Sequence, residues 1–179
     1  MKKAESFVEK FGGTVFQSYE EILSLDEVDA IYIPLPPALH YEWCKLALMN
    51  GKHVFVEKPA TTDANATADL ISLARQYELA LHENYMFVFH EQLKVLDDLI
   101  KNGEIGDVRL YRISFGFPRR PMSDFRYNKN LGGGALLDAG GYTIKYANYL
   151  LGNTAKVINA NLNYISEFEV DVFGTATMR

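Results

Sequence analysis

HVFVEKP, at residues 53–59, decides the fold, because an apolar β-branched run ends there in a charged turn. A comparable run lies at 30–33, and another follows at 79–83. Helical stretches separate these runs, one over 36–50 that starts with prolines and one from about 62 to 77. Strands that alternate with helices of this length predict parallel βαβ units with helices on both faces of the sheet.

The pattern changes near Met86, where we place a domain boundary. An amphipathic helix is predicted over 91–102, and the alternation over 108–117 predicts a strand of an antiparallel sheet. A further helix is predicted over 134–151, and strand-like alternation returns from Lys156. The chain is therefore predicted to be α/β, with a parallel sheet followed by a second, α+β part.

Composition argues against several classes of protein. With 179 residues and 48% hydrophobic side chains, the chain can bury a core, so disorder is not expected. The net charge of −5 argues against nucleic acid or an anionic membrane as a partner. Neither a membrane-spanning run nor a signal peptide is visible, and Cys44 is the single cysteine. We therefore expect a cytoplasmic protein without disulfides.

Asp138 and Tyr142 are candidates for chemistry, because their i, i+4 spacing puts both side chains on one face of a helix. Gly140 and Gly141 lie between them, and each interior glycine costs a helix roughly 0.5–1 kcal/mol relative to alanine. Two explanations for these glycines are open. A flat cofactor ring could approach the bare backbone, or another helix or strand could pack closely against it.

Lys58 is the candidate partner of Tyr142, because it lies at the carboxyl end of a strand, where parallel sheets bind ligands. A free phenol has a pKa near 10, and a neighbouring ammonium would lower that pKa. The two groups would then form a proton-handling pair suited to carbonyl reduction. A solvated loop is the alternative explanation for Lys58. The peptide bond before Pro59 is a candidate cis bond that would aim the lysine inwards.

Glycine spacing does not provide a dinucleotide fingerprint. Gly132, Gly133 and Gly134 follow a polar loop instead of a strand. Leu137 occupies the position of that motif where glycine or alanine is needed. The triple glycine is therefore rejected as a phosphate-binding turn.

Histidines and arginines offer weaker candidates. The four histidines lack the spacing of a helical zinc site, so no metal is expected. His40 lies near the strand-end crevice, where it could contact a cofactor. Arg119, Arg120 and Arg126 lie in the loop before the triple glycine, and they are either solvated or available to phosphate groups.

Five stretches occur in the order and at the separations of a known family: IPLPPALH at 33–40, HVFVEKP at 53–59, ENYMF at 83–87, FR at 125–126 and GGGALLDAGGY at 132–142. Together they resemble the glucose–fructose oxidoreductase, inositol dehydrogenase and rhizopine-catabolism superfamily (Gfo/Idh/MocA) over nearly the whole chain. The resemblance implies a partial Rossmann-like nucleotide-binding domain at 1–86. It also implies a partial α+β open-faced sheet domain, for substrate binding and oligomerisation, at 87–179.

The same resemblance implies hydride transfer between NAD or NADP and a sugar carbon. It makes Lys58 the catalytic lysine and lets Asp138 orient the substrate or the base, and Tyr142 stands where many members carry histidine. A tyrosine there, with the loop that begins at Phe117, resembles the nucleotide-hexose 3-ketoreductases. The implied partners are a sugar or nucleotide-sugar and further copies of the chain through the second sheet. The implied cofactor-binding residues are Pro34, Leu35, Pro36, His40, Glu57, Lys58, Asn84 and Arg126.

Members of this family begin with a strand, a glycine-rich turn, a helix and a second strand, a unit of roughly 30 residues or more that is not found here. We therefore expect a fragment of an NAD(P)-dependent sugar oxidoreductase, in which the residue that selects NAD or NADP is missing. The alternatives are a non-catalytic sensor of the same fold and an inactive fragment. Retention of Lys58, Asp138 and Tyr142 favours the enzyme.

The chain by itself is expected to bind NADH and NADPH weakly or not at all. It lacks the turn whose backbone amides and helix N-terminus hold the pyrophosphate. Calorimetric titration of the isolated chain with each dinucleotide measures this. Micromolar binding by a monodisperse, cooperatively folding sample would show instead that the chain is a complete binding domain.

Overall fold

The computed structural model describes residues 2–152 and 154–179. It confirms the α/β class, with one parallel and one antiparallel sheet. The helices are α1 (Lys2–Phe11), α2 (Tyr19–Leu23), α3 (Pro37–Met49), α4 (Ala64–Gln76), α5 (Glu91–Lys101) and α6 (Gly141–Leu151). The strands are β1 (Ala30–Ile33), β2 (His53–Glu57), β3 (Leu81–Asn84), β4 (Val157–Tyr164) and β5 (Asp171–Met178). Short 3-10 turns lie at Met86–Phe89, Phe125–Tyr127 and Lys129–Leu131.

The first sheet consists of β1, β2 and β3, which run parallel and in chain order. Ile33 lies opposite Val56, and Glu57 lies opposite Asn84. The carboxyl ends of the strands therefore meet at one edge, where parallel sheets present ligand-binding residues. β1 and β2 have the predicted bounds, and β3 is shifted towards the C-terminus of its predicted range, 79–83.

The helices α3 and α4 pack against each other and cover one face of this sheet. Tyr32, Phe55 and His82 form a row on the opposite face, where the rings of Phe55 and His82 stack with centroids 4.8 Å apart. The prediction of helices on both faces is therefore wrong for the described residues. Successive right-handed crossovers in a sheet whose strand order follows the chain place both helices on one side.

The core of the first half lies between this sheet and the two helices. Cys44 and Leu48 of α3, Leu70 of α4 and Val56 of β2 are fully buried there. α4 begins after Asp63, whose carboxylate accepts from the first free backbone N–H groups of the helix. A conventional apolar core thus supports the strand end that carries Lys58.

In the second half, β4 and β5 pair as an antiparallel ribbon. Residues 108–117, predicted to be a strand, form no ladder with any described residue, so that prediction is wrong. The segment lines a cleft with consecutive residues, among them Ile113, Ser114 and Phe115, so its alternation does not separate two sides. A period-2 pattern alone does not make a ladder, because pairing also needs a neighbouring strand.

The helix predicted over 134–151 is present, but it contains a turn of π-helix, Leu136–Gly140, before α6. The N–H of Gly141 donates to the carbonyl of Leu136, five residues earlier, as in a π turn. Such turns are rare and frequent at functional sites. This one contains Asp138.

Asp171 of β5 anchors the start of this helix. Its Oδ2 accepts a hydrogen bond of 2.6 Å from the N–H of Leu136. Gly134, at φ +118°, leaves the space that the Asp171 carboxylate fills, because a Cβ there would overlap Oδ1. The second sheet therefore fixes where the helix begins.

The domain boundary near Met86 falls between β3 and α5, and it stays a prediction. Within residues 2–152 and 154–179, no helix combines the length and apolar character needed to cross a membrane.

Leu48→Ala is expected to lower the free energy of unfolding by about 2–5 kcal/mol, because Leu48 is fully buried and its removal leaves a cavity. Its neighbour Met49 is 54% exposed on the same helix, so Met49→Ala should change that free energy by about 0.5 kcal/mol or less. Urea unfolding followed by circular dichroism measures both. Equal losses would contradict the assignment of the core.

Candidate active site

Lys58 follows β2 and points towards the helix that contains Asp138. Its Nζ donates to Oδ1 of Asp138 at 2.7 Å and to the backbone carbonyl of Asp138 at 2.7 Å. The two side chains are only 13% and 12% exposed, so the ion pair is largely shielded from water. The Lys58–Pro59 peptide bond is cis, as predicted. The alternative of a solvated loop is therefore wrong for Lys58.

Arg126 approaches Asp138 from the other side. Its Nε donates to Oδ2 of Asp138 at 2.7 Å, and its Nη1 donates to Oδ1 of Asp124 at 3.1 Å. Each oxygen of the Asp138 carboxylate thus faces a different cation. This arrangement fixes both cations relative to the π turn.

Tyr142 lies beneath the ammonium of Lys58, with Nζ 5.0 Å from its ring centroid. Aromatic rings enclose it: Phe115 stacks on it at 4.7 Å, Tyr85 meets it edge-on at 5.3 Å, and Phe87 lies at 5.8 Å. The structure thus brings Lys58, Asp138 and Tyr142 together, as the spacing and the strand end predicted.

The pKa of Tyr142 departs from the expected direction. Burial raises it above the usual value, and the nearby carboxylates of Asp138 and Glu57 raise it further. The predicted lowering by Lys58 is therefore wrong for this structure, because the charge of Lys58 is paired with Asp138. The phenol therefore keeps its proton at neutral pH, and its raised pKa makes it a weaker acid than a free phenol.

Close packing explains one of the two glycines on the helix. A Cβ on Gly141 would overlap the hydroxyl of Tyr85, and one on Gly140 would lie 3.0 Å from Cδ1 of Leu136. For Gly141 the structure thus supports close packing, by Tyr85, whereas the neighbour of Gly140 is Leu136 of the same helical segment. Tyr85, which is itself buried, fills the space beside Gly141.

Polar side chains from all three strands meet at the carboxyl edge of the first sheet. Oε1 of Glu57 accepts from the hydroxyl of Tyr32 at 2.7 Å and from Nδ2 of Asn84 at 2.7 Å. The hydrogen bond to Glu57 raises the pKa of Tyr32 to about 12. Glu57 and Asn84, both predicted to bind cofactor, therefore form one cluster next to Lys58.

His40 is fully buried, and carbonyl groups lie at both of its ring nitrogens. Nδ1 is 2.8 Å from the carbonyl of Pro59, and Nε2 is 2.6 Å from the carbonyl of Leu35. A direct contact between His40 and a cofactor, as predicted, does not fit this geometry, because no ring nitrogen is free. His40 instead holds the loop after β1, Pro34 to Pro36, against the turn that follows Lys58.

A cleft of about 900 Å³ opens beside this cluster. The residues that line it include Asp138, Arg126, Phe115, Arg119 and Arg120. Lys58 and Tyr142 do not line the cleft themselves. They lie behind it, in contact with Asp138 and Phe115.

Two contributors to the site were not identified from the sequence. Tyr85 directly follows Asn84 at the strand edge, so its position was a signal that could have marked it. Phe115 carried no such signal, because it belongs to an alternating segment with several equivalent aromatic residues. For metals, no group of three or more potential ligands was found in the part of the chain that the structure describes.

Comparison with family models gives matches along both halves of the chain. The model described as an oxidoreductase family with an NAD-binding Rossmann fold matches residues 1–85. The model of the GFO/IDH/MocA C-terminal domain matches residues 93–179.

Curated relatives include two enzymes named dTDP-3,4-didehydro-2,6-dideoxy-alpha-D-glucose 3-reductase. The one from Streptomyces violaceoruber is 45% identical over 99% of the chain and 52% of its own length. The one from Actinomadura kijaniata is 42% identical over 98% of the chain and 53% of its own length. The chain thus spans about half the length of the curated relatives it matches.

A crystal structure of a 3-ketoreductase from Actinomadura kijaniata, in complex with NADP and TDP-benzene, is similar in fold. It matches with a TM-score of 0.96 and 42% identity over 99% of the chain and 55% of its own. Further solved structures of that ketoreductase carry a tyrosine-to-phenylalanine replacement or a replaced lysine.

Gly141→Ala is expected to destabilise the protein by about 1–3 kcal/mol, because the added methyl group overlaps the hydroxyl of Tyr85. Adding Tyr85→Phe removes that hydroxyl and should recover much of the loss. Chemical unfolding of the two single variants and the double variant measures the coupling. Without the overlap, alanine would stabilise a helix relative to glycine. A more stable Gly141→Ala protein would therefore contradict this packing.

Proposed function

The chain belongs to the GFO/IDH/MocA oxidoreductase family, and from this premise we propose that the native protein is an NAD(P)-dependent 3-ketoreductase of a nucleotide-linked hexose. The observation that carries the proposal is the cluster of Lys58, Asp138 and Tyr142. A non-catalytic sensor would have no use for a shielded ammonium beside a protonated phenol.

The replaced residues of the Actinomadura kijaniata ketoreductase support this choice of residues. The lysine and the tyrosine changed in its variants are separated by the same number of positions as Lys58 and Tyr142. That protein has been solved with NADP and a TDP compound. The same pair of residues, at the same separation, is therefore proposed to act here.

In the proposed reaction a sugar ketone becomes an alcohol, which requires one hydride at carbon and one proton at oxygen. NAD(P)H, when bound, supplies the hydride. Tyr142 donates its phenolic proton to the ketone oxygen, which becomes more basic as the hydride reaches the carbon.

Lys58 assists this transfer through its third N–H. Asp138 accepts two donor hydrogens of the ammonium, at its carboxylate and at its carbonyl. The remaining hydrogen is available to the substrate oxygen or to the hydroxyl of Tyr142, where a positive charge stabilises the negative charge that develops. Asp138 acts as a positioning residue, because it holds Lys58 and Arg126 in place.

The cofactor is proposed to lie along the carboxyl edge of the first sheet. Glu57 and Asn84 offer polar groups at that edge, and the loop from Pro34 to Pro36 forms its border. His40 contributes by holding this loop, and Arg126 by facing the edge from the second half. The residues fit a nicotinamide dinucleotide at this edge, since ligands bind parallel sheets there.

The remaining assignments follow from the same premise. Residues 1–86 are proposed to serve the cofactor, and residues 87–179 the substrate. The native protein is proposed to be cytoplasmic, without nucleic-acid or membrane partners, and to assemble with further copies through its second sheet.

Tyr142→Phe is expected to lower kcat for a dTDP-linked 3-keto sugar by roughly 10²–10⁴-fold, because the phenolic proton is lost. The affinity for NADPH should stay nearly unchanged. Turnover and NADPH binding of the native protein are measured side by side, with Tyr149→Phe as the control, since Tyr149 is 44% exposed on the same helix. Lys58→Ala should cost at least as much turnover. A Tyr142→Phe enzyme with ordinary turnover would assign the proton to another group.

A further inference from the structure

Arg120 packs against an aromatic side chain. Its guanidinium carbon lies 4.9 Å from the ring centroid of Phe117. No carboxylate of the described residues forms an ion pair with it, although the chain carries a net charge of −5. The arginine lines the 900 Å³ cleft described above. Arg120 forms no ion pair with the described residues, although Asp124 lies close enough for the two charges to interact, so its guanidinium is available to an anionic ligand in the cleft.

The loop that carries Arg120 is attached to its surroundings. The backbone N–H of Arg120 donates to the hydroxyl of Tyr127 at 3.1 Å. Tyr127 in turn stacks on Phe168, with ring centroids 4.2 Å apart and an interplanar angle of 8°. Arg119 adds an ion pair of 2.8 Å with Glu167. Arg120 therefore starts from a backbone that contacts already position, which reduces the entropy lost on binding.

Arg120 is connected to the reacting end of the site by two short routes. The first route runs along the chain, where Phe115 stacks on Tyr142 and Phe117 contacts Arg120. The extended chain from Phe115 to Arg120 spans at most about 18 Å. Through the other route, Tyr127 adjoins Arg126, which binds the Asp138 carboxylate. Arg120 thus lines the same cleft as Asp138, while Lys58 and Tyr142 lie behind that cleft.

We propose that Arg120, assisted by Arg119, binds the diphosphate of a nucleoside-diphosphate sugar while the sugar reaches Tyr142. This inference rests on the proposed function. A guanidinium fork matches two phosphate oxygens and gives charge-assisted hydrogen bonds. Arg126 is not available for this role, because Asp138 and Asp124 take its Nε and Nη1.

Arg119 assists because its present partner is weakly held. Its pair with Glu167 is exposed, at 61% and 55% for the two side chains, and exposed pairs of this kind contribute little. A diphosphate with a higher charge than one carboxylate can therefore recruit Arg119 as well.

The test is calorimetric titration of the native protein, saturated with NADPH, with thymidine 5′-diphosphate. Arg120→Ala should weaken this binding by about tenfold or more, the effect of losing a charge-assisted hydrogen bond. It should raise KM for the dTDP-linked 3-keto sugar by a similar factor, with kcat nearly unchanged. Arg120→Lys should fall between, because lysine keeps the charge and loses the fork.

Arg109→Ala is the matched control, since Arg109 is 85% exposed and does not line the cleft. Arg120→Ala that binds the diphosphate as tightly as Arg109→Ala would overturn the inference, as would a native protein that binds no thymidine diphosphate. Loss of NADPH affinity alone would also overturn it, since Arg120 would then bind the cofactor. The titration measures binding without turnover, so its result does not depend on the activity of Tyr142→Phe. Failure of this inference can therefore be told apart from failure of the proposed function.

Discussion

One carboxylate, that of Asp138, holds the candidate site together. It pairs with Lys58 on one oxygen and with Arg126 on the other. Lys58 lies 80 positions earlier in the chain, so the contact ties the end of β2 to the π turn. Removal of Asp138 would leave the shielded ammonium of Lys58 without its counter-ion, which proteins tolerate poorly. The geometry of the site is therefore set by charge balance as much as by packing.

This charge balance also explains the state of Tyr142. An unpaired ammonium over the ring would have favoured the phenolate, but the Lys58 charge is already matched by Asp138. Burial then dominates and raises the pKa of the phenol. The phenol of Tyr142 therefore keeps its proton at neutral pH. The rings of Tyr85, Phe87 and Phe115 pack around the ring of Tyr142.

The sequence predicted those features that depend on local signals. β2 has its predicted bounds, because a β-branched run between polar turns specifies a strand without reference to the rest of the chain. Lys58 was identified as a candidate in the same way, because its position at the end of a predicted strand can be recognised from the neighbouring residues. The pairing of residues 108–117 was predicted wrongly, because a ladder depends on a partner strand elsewhere.

Long-range contacts account for the other differences. Position 141 is a glycine because a Cβ there would overlap the hydroxyl of Tyr85. No local sequence pattern links those two positions. The π turn depends in the same way on Asp171, which anchors the helix from the second sheet. His40 lies in the crevice that its position suggested, but the carbonyls of Leu35 and Pro59 occupy its nitrogens.

The central claim is that this cluster completes a hydride transfer to a sugar ketone, and isotope transfer tests it most directly. The native protein is supplied with NADPH deuterated at the transferable C4 position and with a dTDP-linked 3-keto sugar, and the product is examined by mass spectrometry and NMR. The account predicts one deuterium on the former carbonyl carbon, with the proton on oxygen drawn from solvent. Product that forms without deuterium at that carbon, or consumption of NADPH without a reduced sugar, would contradict it.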